Sequence, residues 1–202
     1  DALPISHYHA DHSWGNCFFP DATIIAHTRC RELLAEQGIP ALKEAKKQSP
    51  IFEQVEIVLP NMTLDNGEMI LQIGKKHLKI IPAPGHSEDG IAISVVEDRV
   101  LFAGDTFMPI PYLLDGNIEE LRGFYEVVRN MTLENIVQGH GEVILRGEVE
   151  PTIDGNLEYI ALIEKIARTA LRRKAPMEYL AKQDIEKCGK SRILLGGLAT
   201  GP

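Results

Sequence analysis

The chain has 202 residues, of which 44% are hydrophobic and 25% charged, and this is the composition of a globular domain with a core of its own. Its formal net charge of −8 argues against a surface that binds nucleic-acid phosphates, since such surfaces concentrate positive charge. No apolar run in the sequence is long enough to span a bilayer. We therefore expect neither a nucleic-acid partner nor a membrane partner.

Three cysteines, at positions 17, 30 and 188, lie far apart and form no Cys-x-x-Cys pair. Their odd number and wide spacing offer no disulfide framework, which favours a reducing cytoplasm. Cys17 follows the first histidines closely, and we interpret it as a small buried hydrophobic residue. The chain begins without methionine and ends on a glycine-rich run, so we expect part of a longer protein and leave a periplasmic or secreted location open.

Three of the seven histidines and one aspartate fall within six positions near the start, at His7, His9, Asp11 and His12. Imidazole and carboxylate are ligands that suit a borderline cation such as zinc. If a strand ends at His9, the side chains of His7 and His9 point the same way, and Asp11 and His12 follow at the turn. One short segment would then supply two ligands to each of two adjacent ions. The alternative is a surface cluster, or core histidines satisfied by hydrogen bonds.

Next comes a β-branched run over 22–26 that predicts a buried strand, and His27 ends it as a structural residue rather than a ligand. Thr28 is placed to cap a helix to about residue 37, with Gly38 as its stop. A second helix is predicted over about 41–48.

The rest of the chain alternates further elements. The pattern predicts strands over 55–59, 68–73, 77–81, 91–96, 99–103 and 135–138, and helices over 117–130, 152–173 and 176–187. Hairpins join most of the middle strands, which favours a layered α/β fold over a doubly wound parallel sheet. We expect one domain over 1–202, with 151–202 as its C-terminal helical segment.

Three further candidate ligands stand where a predicted strand gives way to a loop. They are His86, Asp105 and His140, and a glycine directly precedes each of them. Glycine lets the backbone approach closely or adopt a positive φ. Because loops at strand ends are where a rigid scaffold presents functional groups, we expect these residues to join the first cluster.

With these positions the chain resembles the metallo-β-lactamase superfamily of metal-dependent hydrolases. The resemblance rests on His-x-His-x-Asp-His at 7–12, Gly-His at 85–86, Gly-Asp at 104–105 and Gly-His at 139–140, in the order of the family. It implies a four-layer αββα sandwich, here without the family's first N-terminal strands. It also implies one metal held by His7, His9 and His86, a second held by Asp11, His12 and His140, and Asp105 as the bridge.

The resemblance implies a function as well. Two divalent metal ions, zinc first and iron or manganese as alternatives, would generate a hydroxide that attacks the carbonyl of a lactone, ester, thioester or lactam in a small-molecule substrate. Asp105 stands where one group of β-lactamases has cysteine, which disfavours β-lactams. His9 stands where the flavodiiron branch has glutamate, which favours hydrolysis over redox chemistry. Glyoxalase II and the lactonases share the bridging aspartate, and the chain resembles that branch. The pair His86-Ser87 departs from glyoxalase II itself, which has threonine after the histidine.

Two residues are candidates for a catalytic role beside the metal ligands. In the arrangement that the resemblance implies, Asp11 would be close enough to the water to orient it or to shuttle its proton. The apolar run over 107–114 is either a loop packed on the core or an apolar wall for the substrate, and in the second case Tyr112 would donate a hydrogen bond to the substrate carbonyl.

Two other functions remain as alternatives at this point. One is a mononuclear iron redox enzyme such as a persulfide dioxygenase. The other is a catalytically incomplete metal-binding fragment. The sequence does not indicate an oligomeric state.

Overall fold

The computed structural model describes residues 2–113 and 115–191, which form two β-sheets with helices against the outer face of each. The first sheet has three parallel strands in the order β1 (Ala2–Pro4), β2 (Thr23–His27) and β3 (Met62–Leu64). A short helix α1 (Ala10–Ser13) and a 3₁₀ turn (Trp14–Phe18) connect β1 to β2. The helices α2 (Thr28–Leu33) and α3 (Ile39–Gln48) follow β2, and a 3₁₀ turn at Pro50–Phe52 comes after them.

The second sheet has six strands that neighbour each other in chain order. They are β4 (Met69–Ile73), β5 (Lys76–Pro82), β6 (Ile91–Val95), β7 (Val100–Gly104), β8 (Asn135–Gln138) and β9 (Ile144–Leu145). Only the pair β7–β8 is parallel, and helix α4 (Ile118–Arg129) makes that crossover. After β9 come a 3₁₀ turn (Arg146–Glu148), α5 (Val149–Ala170), α6 (Pro176–Leu180) and a last 3₁₀ turn (Ile185–Cys188).

Three apolar clusters show how the layers stack. Ile24 and Ala26 of β2 pack with Cys30 and Leu34 on the outer face of the first sheet. Ile25, which points the opposite way, packs with residues of β5 and β6 between the sheets. The largest cluster covers the outer face of the second sheet with α4 and α5. The order helix, sheet, sheet, helix is the predicted αββα sandwich.

Helix α4 shows why the sequence forms these elements where it does. Asn117 caps the helix, since its side-chain oxygen accepts hydrogen bonds from the backbone N–H of Glu119 at 2.8 Å and of Glu120 at 3.3 Å. The predicted apolar face of the helix is buried at Leu121, Phe124, Tyr125 and Val128.

Among the described helices, none combines the length and the apolar character needed to cross a membrane.

The strand predicted over 55–59 is wrong, although its alternating side chains are partly buried. Ile57 and Leu59 pack against the cluster of the first sheet, but β3 at Met62–Leu64 is the strand that pairs with β2. The carbonyl oxygen of Val58 accepts a hydrogen bond from the Asn16 side chain at 3.4 Å instead of joining a ladder. The alternation of apolar and polar residues over 55–59 therefore reflects the burial of an extended segment, not hydrogen bonding to a neighbouring strand.

The predicted helix stop at Gly38 is also wrong. The helix continues from α2 into α3 through a π turn at Leu34–Gly38, with Gly38 at φ −62°. Pro40 lies in the first turn of α3, where its ring and missing N–H disturb the α-helical bonding pattern. A π turn is one way for a helix to absorb such a disturbance without ending.

The last predicted helix, over 176–187, is shorter than expected. Helix α6 ends at Leu180, and a separate 3₁₀ turn begins at Ile185. The side chain of Asp184 accepts a hydrogen bond from the backbone of Glu186 at 3.2 Å, and this starts the new turn.

Candidate metal centre

The seven predicted ligands meet at one edge of the sandwich. His7, His9, Asp11 and His12 lie on the segment after β1, and the other three lie on the loops that follow β5, β7 and β8. Within the described residues, three groups have ligand atoms within 4.8 Å of one another: His7, His9 and His86; His7, His12 and Asp105; and Asp11, His12 and His140. The shared members make these groups one continuous cluster.

The carboxylate of Asp105 lies at the centre of this cluster. Its Oδ1 is 3.2 Å from Nε2 of His12, and its Oδ2 is 3.5 Å from Nε2 of both His86 and His140. Nε2 of His7 is 3.9 Å from Oδ2. At the outer side, Oδ2 of Asp11 lies 3.1 Å from Nε2 of His140 and 3.3 Å from Nε2 of His12.

The strand predicted to end at His9 ends at Pro4, so alternation along a strand does not align His7 with His9. The segment instead leaves the sheet, and His9 stands directly before α1. The backbone N–H groups of His12 and Ser13 both donate to the carbonyl oxygen of His9 at 3.0 Å. This tight turn, rather than strand geometry, carries Asp11 and His12 back to the cluster.

Hydrogen-bond partners on the far ring nitrogens orient three of the histidines. The hydroxyl oxygen of Ser6 lies 3.0 Å from Nδ1 of His7 and 3.3 Å from Nδ1 of His12. Nδ1 of His86 donates to the backbone oxygen of Tyr112. An imidazole that carries its proton on Nδ1 presents the lone pair of Nε2, so these three rings offer Nε2 to the cluster.

His9 is turned the other way round. Its Nδ1 lies 2.8 Å from Nε2 of His7 and 3.1 Å from Nε2 of His86, whereas its Nε2 lies 3.4 Å from Oδ1 of Asp115. His9 therefore offers Nδ1 to the cluster, and Asp115 faces its other nitrogen.

The arrangement fits metal ions on two structural grounds. His7, His86 and Asp105 are only 2%, 4% and 7% exposed, and burying such groups is costly unless charge and lone pairs find partners. Nε2 of His12 and Oδ1 of Asp105 are also buried, and neither has an aligned hydrogen bond although they are 3.2 Å apart. Two ligand atoms that are close together without a hydrogen bond between them are arranged as they would be if both bound the same cation. Imidazole and carboxylate are also the donors that zinc takes.

The electrostatics of the cluster favour the ionisation states that ligands need. Burial, together with the imidazoles of His12 and His9, lowers the pKa of His7 from 6.5 to about 2, and burial lowers the pKa of His86. Burial favours the neutral form of Asp105, but His12 and the other histidines outweigh it and hold the pKa of that carboxyl below its ordinary value. A metal ligand must be a neutral imidazole or an ionised carboxylate, which is the state of these three groups at neutral pH.

His12 differs from the other buried histidines. Burial disfavours its charged form, but the carboxylates of Asp105 and Asp11 outweigh burial and raise the pKa of His12 to about 9. Contact with His12 in turn holds the pKa of Asp11 well below its ordinary value. A bound cation would neutralise the same two carboxylates, and His12 could then be a neutral ligand.

The glycines before His86 and Asp105 have the roles that the sequence predicted. Gly85 has φ +138°, and a Cβ there would lie 2.6 Å from the backbone Cα of Leu121. Gly104 has φ +52°, and a Cβ there would lie 2.7 Å from Cβ of Ser6. Both positions combine strained backbone angles with close packing, so only glycine fits without rearrangement.

The apolar run after Asp105 packs mainly on the core. Phe107, Met108 and Ile110 are at most 8% exposed, so the packing alternative is correct for these side chains. Tyr112 differs, since its side chain is 58% exposed while its backbone oxygen holds His86. Leu114 lies outside the described residues.

Two further sequence interpretations concern His27 and Cys17. His27 is structural as predicted, because its Nδ1 accepts from the backbone N–H of Arg29 at 3.1 Å and its Nε2 donates to the carbonyl of Asp65 at 2.8 Å. His27 and not Thr28 is therefore the helix cap. Cys17 is only half-buried, and its thiol lies 3.4 Å from the carbonyl oxygen of Trp14.

Sequence reasoning missed the residues that support the ligands. Ser6 contacts two histidines, and Asp115 faces His9. The fully buried Asp89 accepts a hydrogen bond from the backbone N–H of Tyr8 at 2.8 Å. Burial raises the pKa of Asp89. Ser6 and Asp89 adjoin the motifs, so a search for polar residues beside each motif would have found them. Asp115 follows an apolar run, and no local pattern marks it.

A cleft of about 560 Å³ between the sheets reaches the cluster at Asp11 and His12. Its other lining residues are mostly apolar and include Phe19, Ile93 and Phe102. The cleft thus lies between the two sheets and touches two of the seven predicted ligands.

Comparison with known proteins agrees with this geometry. The chain is 25% identical over 183 residues to the Beta-lactamase-like protein 2 homolog of Caenorhabditis elegans, covering 91% of this chain and 55% of that protein. It is 22% identical over 192 residues to the human Acyl-coenzyme A thioesterase MBLAC2, covering 85% of this chain and 67% of that protein. The chain thus spans little more than half the length of the nematode relative.

The fold is similar to that of the metallo-beta-lactamase from Pontibacter korlensis, with a TM-score of 0.59 and 15% identity over 76% of this chain and 67% of that one. The family model of the metallo-beta-lactamase superfamily matches residues 1–172. Together with the thioesterase relative, this match supports a hydrolase. The chain belongs to the metallo-beta-lactamase superfamily.

Proposed function

We propose that this protein is a binuclear metal-dependent hydrolase that cleaves an acyl thioester or a related ester. The observation that carries the proposal is the meeting of three potential ligand groups around Asp105. Each oxygen of that carboxylate lies within 3.5 Å of a histidine nitrogen from a different loop. A single carboxylate in contact with both halves of a cluster is suited to join two cations.

The ligand sets follow the distances. His7, His9 and His86 would hold the first metal, and Asp11, His12 and His140 the second, with Asp105 shared between them. The dominance of imidazole favours zinc, while iron and manganese also accept this donor set. Bound cations of this kind polarise a substrate carbonyl and lower the pKa of a water molecule towards neutrality.

The residues of the chain would perform the remaining tasks. Ser6 and the carbonyl of Tyr112 fix ring orientations, so the ligand atoms are in place before substrate arrives. The burial of His7, His86 and Asp105 excludes bulk water from the inner side. Preorganised groups in a dry site stabilise developing charge better than solvent does.

Asp11 is the residue we propose for proton handling. Its side chain is 58% exposed, more than Asp105 at 6%, so it is the carboxylate on the open side of the cluster. Its Oδ2 lies 3.1 Å from Nε2 of His140. A carboxylate there can orient the attacking water and accept its proton.

Tyr112 is the residue we propose for binding the substrate carbonyl. Two observations support this role: the backbone oxygen of Tyr112 accepts a hydrogen bond from His86, and its side chain is exposed. A phenol can donate one hydrogen bond to an oxygen that gains negative charge in the transition state.

The thioester assignment has two supports. The human relative carries the name of an acyl-coenzyme A thioesterase, and the apolar cleft beside His12 suits an acyl chain. In the reaction, water adds its oxygen to the acyl carbon and the C–S bond breaks, giving a carboxylic acid and a thiol. The thiol takes up a proton from the water.

The test begins with metal analysis of the protein purified without chelator. We expect about two metal ions per chain, as a binuclear site requires. The loaded protein is then assayed on a panel of acyl-coenzyme A thioesters, aryl esters, lactones, β-lactams and phosphodiesters, with the thioesters expected to be cleaved fastest. A single iron together with persulfide oxidation would instead establish the redox alternative, and metal without turnover on any substrate would establish a binding fragment.

A further inference from the structure

Tyr8, which lies between the ligands His7 and His9, is held at both ends by carboxylates. Its backbone N–H donates to Oδ2 of Asp89 at 2.8 Å. Its phenol donates to Oδ2 of Asp115. Both aspartates follow His86 in the chain, so Tyr8 connects the first ligand segment to the part of the protein that carries the third ligand.

Backbone contacts fix the position of Asp115 against the loop of His86. Asp115 forms an isolated parallel bridge with Ser87. The next residue, Gly116, is packed so closely that a Cβ would lie 1.8 Å from the carbonyl oxygen of Gly85. The N–H of Asn117 donates to the same oxygen at 2.9 Å. Three successive residues thus attach Asp115 to the loop that bears a ligand.

The other oxygen of Asp115 faces His9. Oδ1 of Asp115 is 3.4 Å from Nε2 of His9, an atom that is buried and makes no hydrogen bond within the described part of the chain. The opposite nitrogen, Nδ1, lies within 3.1 Å of Nε2 of both His7 and His86. The ring of Tyr8 packs on the His9 ring with centroids 4.7 Å apart.

We propose that Asp115, held in place by Tyr8, is a positioning residue that selects Nδ1 of His9 as its metal-ligating atom. Oδ1 of Asp115 is the acceptor that faces Nε2, and a small rotation of the His9 ring would complete a hydrogen bond that keeps the proton on Nε2. The lone pair of Nδ1 would then be directed at the first metal position. Because Asp115 is attached to the loop of His86, it also fixes the distance between two ligands of that metal. This inference rests on the ligand sets of the proposed function, and it concerns the first metal alone.

The test compares two positioning variants with a control. Asp115→Ala removes the acceptor, and Tyr8→Phe removes only the hydroxyl that holds it while keeping the ring on His9. Asp98→Asn is the matched control, since Asp98 is an exposed aspartate that pairs with Lys76 on a hairpin. Each change is made in two backgrounds. His140→Ala removes a ligand of the second metal, so zinc affinity there reports the first site, and His86→Ala removes a ligand of the first metal, so zinc affinity there reports the second site.

Zinc affinity is measured by competition with a chromophoric chelator. In the His140→Ala background we expect Asp115→Ala to weaken zinc binding by about 10- to 100-fold, the usual effect of losing an outer partner of a ligating histidine. Tyr8→Phe should weaken it by a smaller factor, and Asp98→Asn should leave it unchanged. In the His86→Ala background all three should leave zinc affinity unchanged.

A spectroscopic readout separates positioning from a loss of structure. Long-range ¹H–¹⁵N correlation spectra of zinc-loaded protein should show His9 with its proton on Nε2, and Asp115→Ala should broaden or shift that signal. If Asp115→Ala lowers the circular dichroism signal, Tyr8→Phe decides, because it keeps the ring packing and the backbone contacts.

Three results would overturn the inference. One is unchanged zinc affinity of the first site in both positioning variants, and another is an equal loss at both sites. The third is a spectrum with the proton of His9 on Nδ1. A wild-type chain that binds no metal at all would overturn the proposed function with it, whereas a wild-type chain that binds two metals and shows the same first-site zinc affinity in both variants would overturn this inference alone.

Discussion

A Cβ placed on Gly139 would lie 1.8 Å from Oδ1 of Asp105. The N–H of Gly139 also donates to the carbonyl oxygen of Gly104 at 2.8 Å, so the ends of the parallel strands β7 and β8 lie directly against each other. Gly139 has no positive φ, and its role differs from that of Gly85 and Gly104. It leaves the space that the central carboxylate occupies.

Gly139→Ala should therefore weaken binding at both proposed metal positions. The new methyl group cannot share space with Oδ1, so either Asp105 rotates or the end of β8 moves, and His140 moves with it. We expect zinc affinity to fall by about tenfold or more at each position, as when a ligand loses its support. Zinc competition titration measures both affinities.

The matched control is Gly155→Ala in helix α5, where a Cβ would meet no atom within 4 Å. This change should leave zinc binding unchanged and raise the free energy of unfolding by about 0.5–1 kcal/mol, because alanine favours a helix over glycine. Equal zinc affinities in Gly139→Ala and Gly155→Ala would contradict the steric role of Gly139.

Metal removal should lower the thermal stability of the protein. Without cations, the buried lone pairs of His12 and Asp105 lose the partner that their geometry suits. Zinc at about 100 times its Kd stabilises a folded chain by about 2.7 kcal/mol. For a chain of this size that corresponds to a Tm shift of roughly 5–10 °C.

Differential scanning calorimetry with zinc, with chelator and with chelator followed by zinc checks this expectation. The shift must reverse on adding zinc back, and magnesium serves as the control because it prefers oxygen ligands. A Tm that does not change with chelator would show that the folded chain gains nothing from a cation.

The sequence predicted which side chains cluster because each candidate ligand is tied to a local pattern. The first four share one motif, and His86, Asp105 and His140 each follow a glycine close to a strand end. Strand ends on one side of a sandwich meet, so local patterns were enough to predict convergence. Asp115 could not be predicted in this way. Its partner Tyr8 is 107 positions away, and only the folded chain brings the two together.

The fold was predictable where side-chain periodicity and backbone pairing agree. Strands β5 to β8 and helix α4 lie within a few residues of their predicted bounds, because burial there coincides with a ladder or a helix face. At 55–59 side-chain periodicity and backbone pairing do not agree. The apolar side chains are partly buried, but the carbonyl oxygen of Val58 accepts from the Asn16 side chain instead of from a neighbouring strand. The π turn at Leu34–Gly38 could not be predicted, because the sequence does not indicate whether a helix ends before Pro40 or continues through a wider turn.

Ile136→Ala in β8 should destabilise the fold by about 2–5 kcal/mol, the usual cost of a cavity in a core. Ile136 is fully buried in the cluster that joins β7, β8 and α4. Ile70→Ala is the control, since Ile70 on strand β4 is 57% exposed and its loss should stay within about 0.5 kcal/mol. Urea denaturation of both variants measures the free energy of unfolding. Similar values for the two would contradict the burial of Ile136.

Asp11→Asn should lower kcat even in protein that has been loaded with excess zinc to the metal content of the wild type. The amide oxygen can still face the cluster, but the side chain can no longer accept a proton. Loss of a proton acceptor costs about 100-fold or more in rate. Steady-state kinetics on the best thioester of the panel, with metal analysis of the same sample, gives both quantities. Full metal content with undiminished turnover would exclude Asp11 from proton handling.

Tyr112→Phe should lower kcat/KM for the best thioester by about tenfold, which corresponds to one hydrogen bond of about 1.4 kcal/mol in the transition state. The substitution keeps the backbone oxygen that accepts from His86, so metal content should not change. Tyr179→Phe is the control, because Tyr179 lies on α6, away from the ligand cluster. Tyr112→Phe with wild-type kcat/KM would show that the exposed phenol has no part in binding the carbonyl.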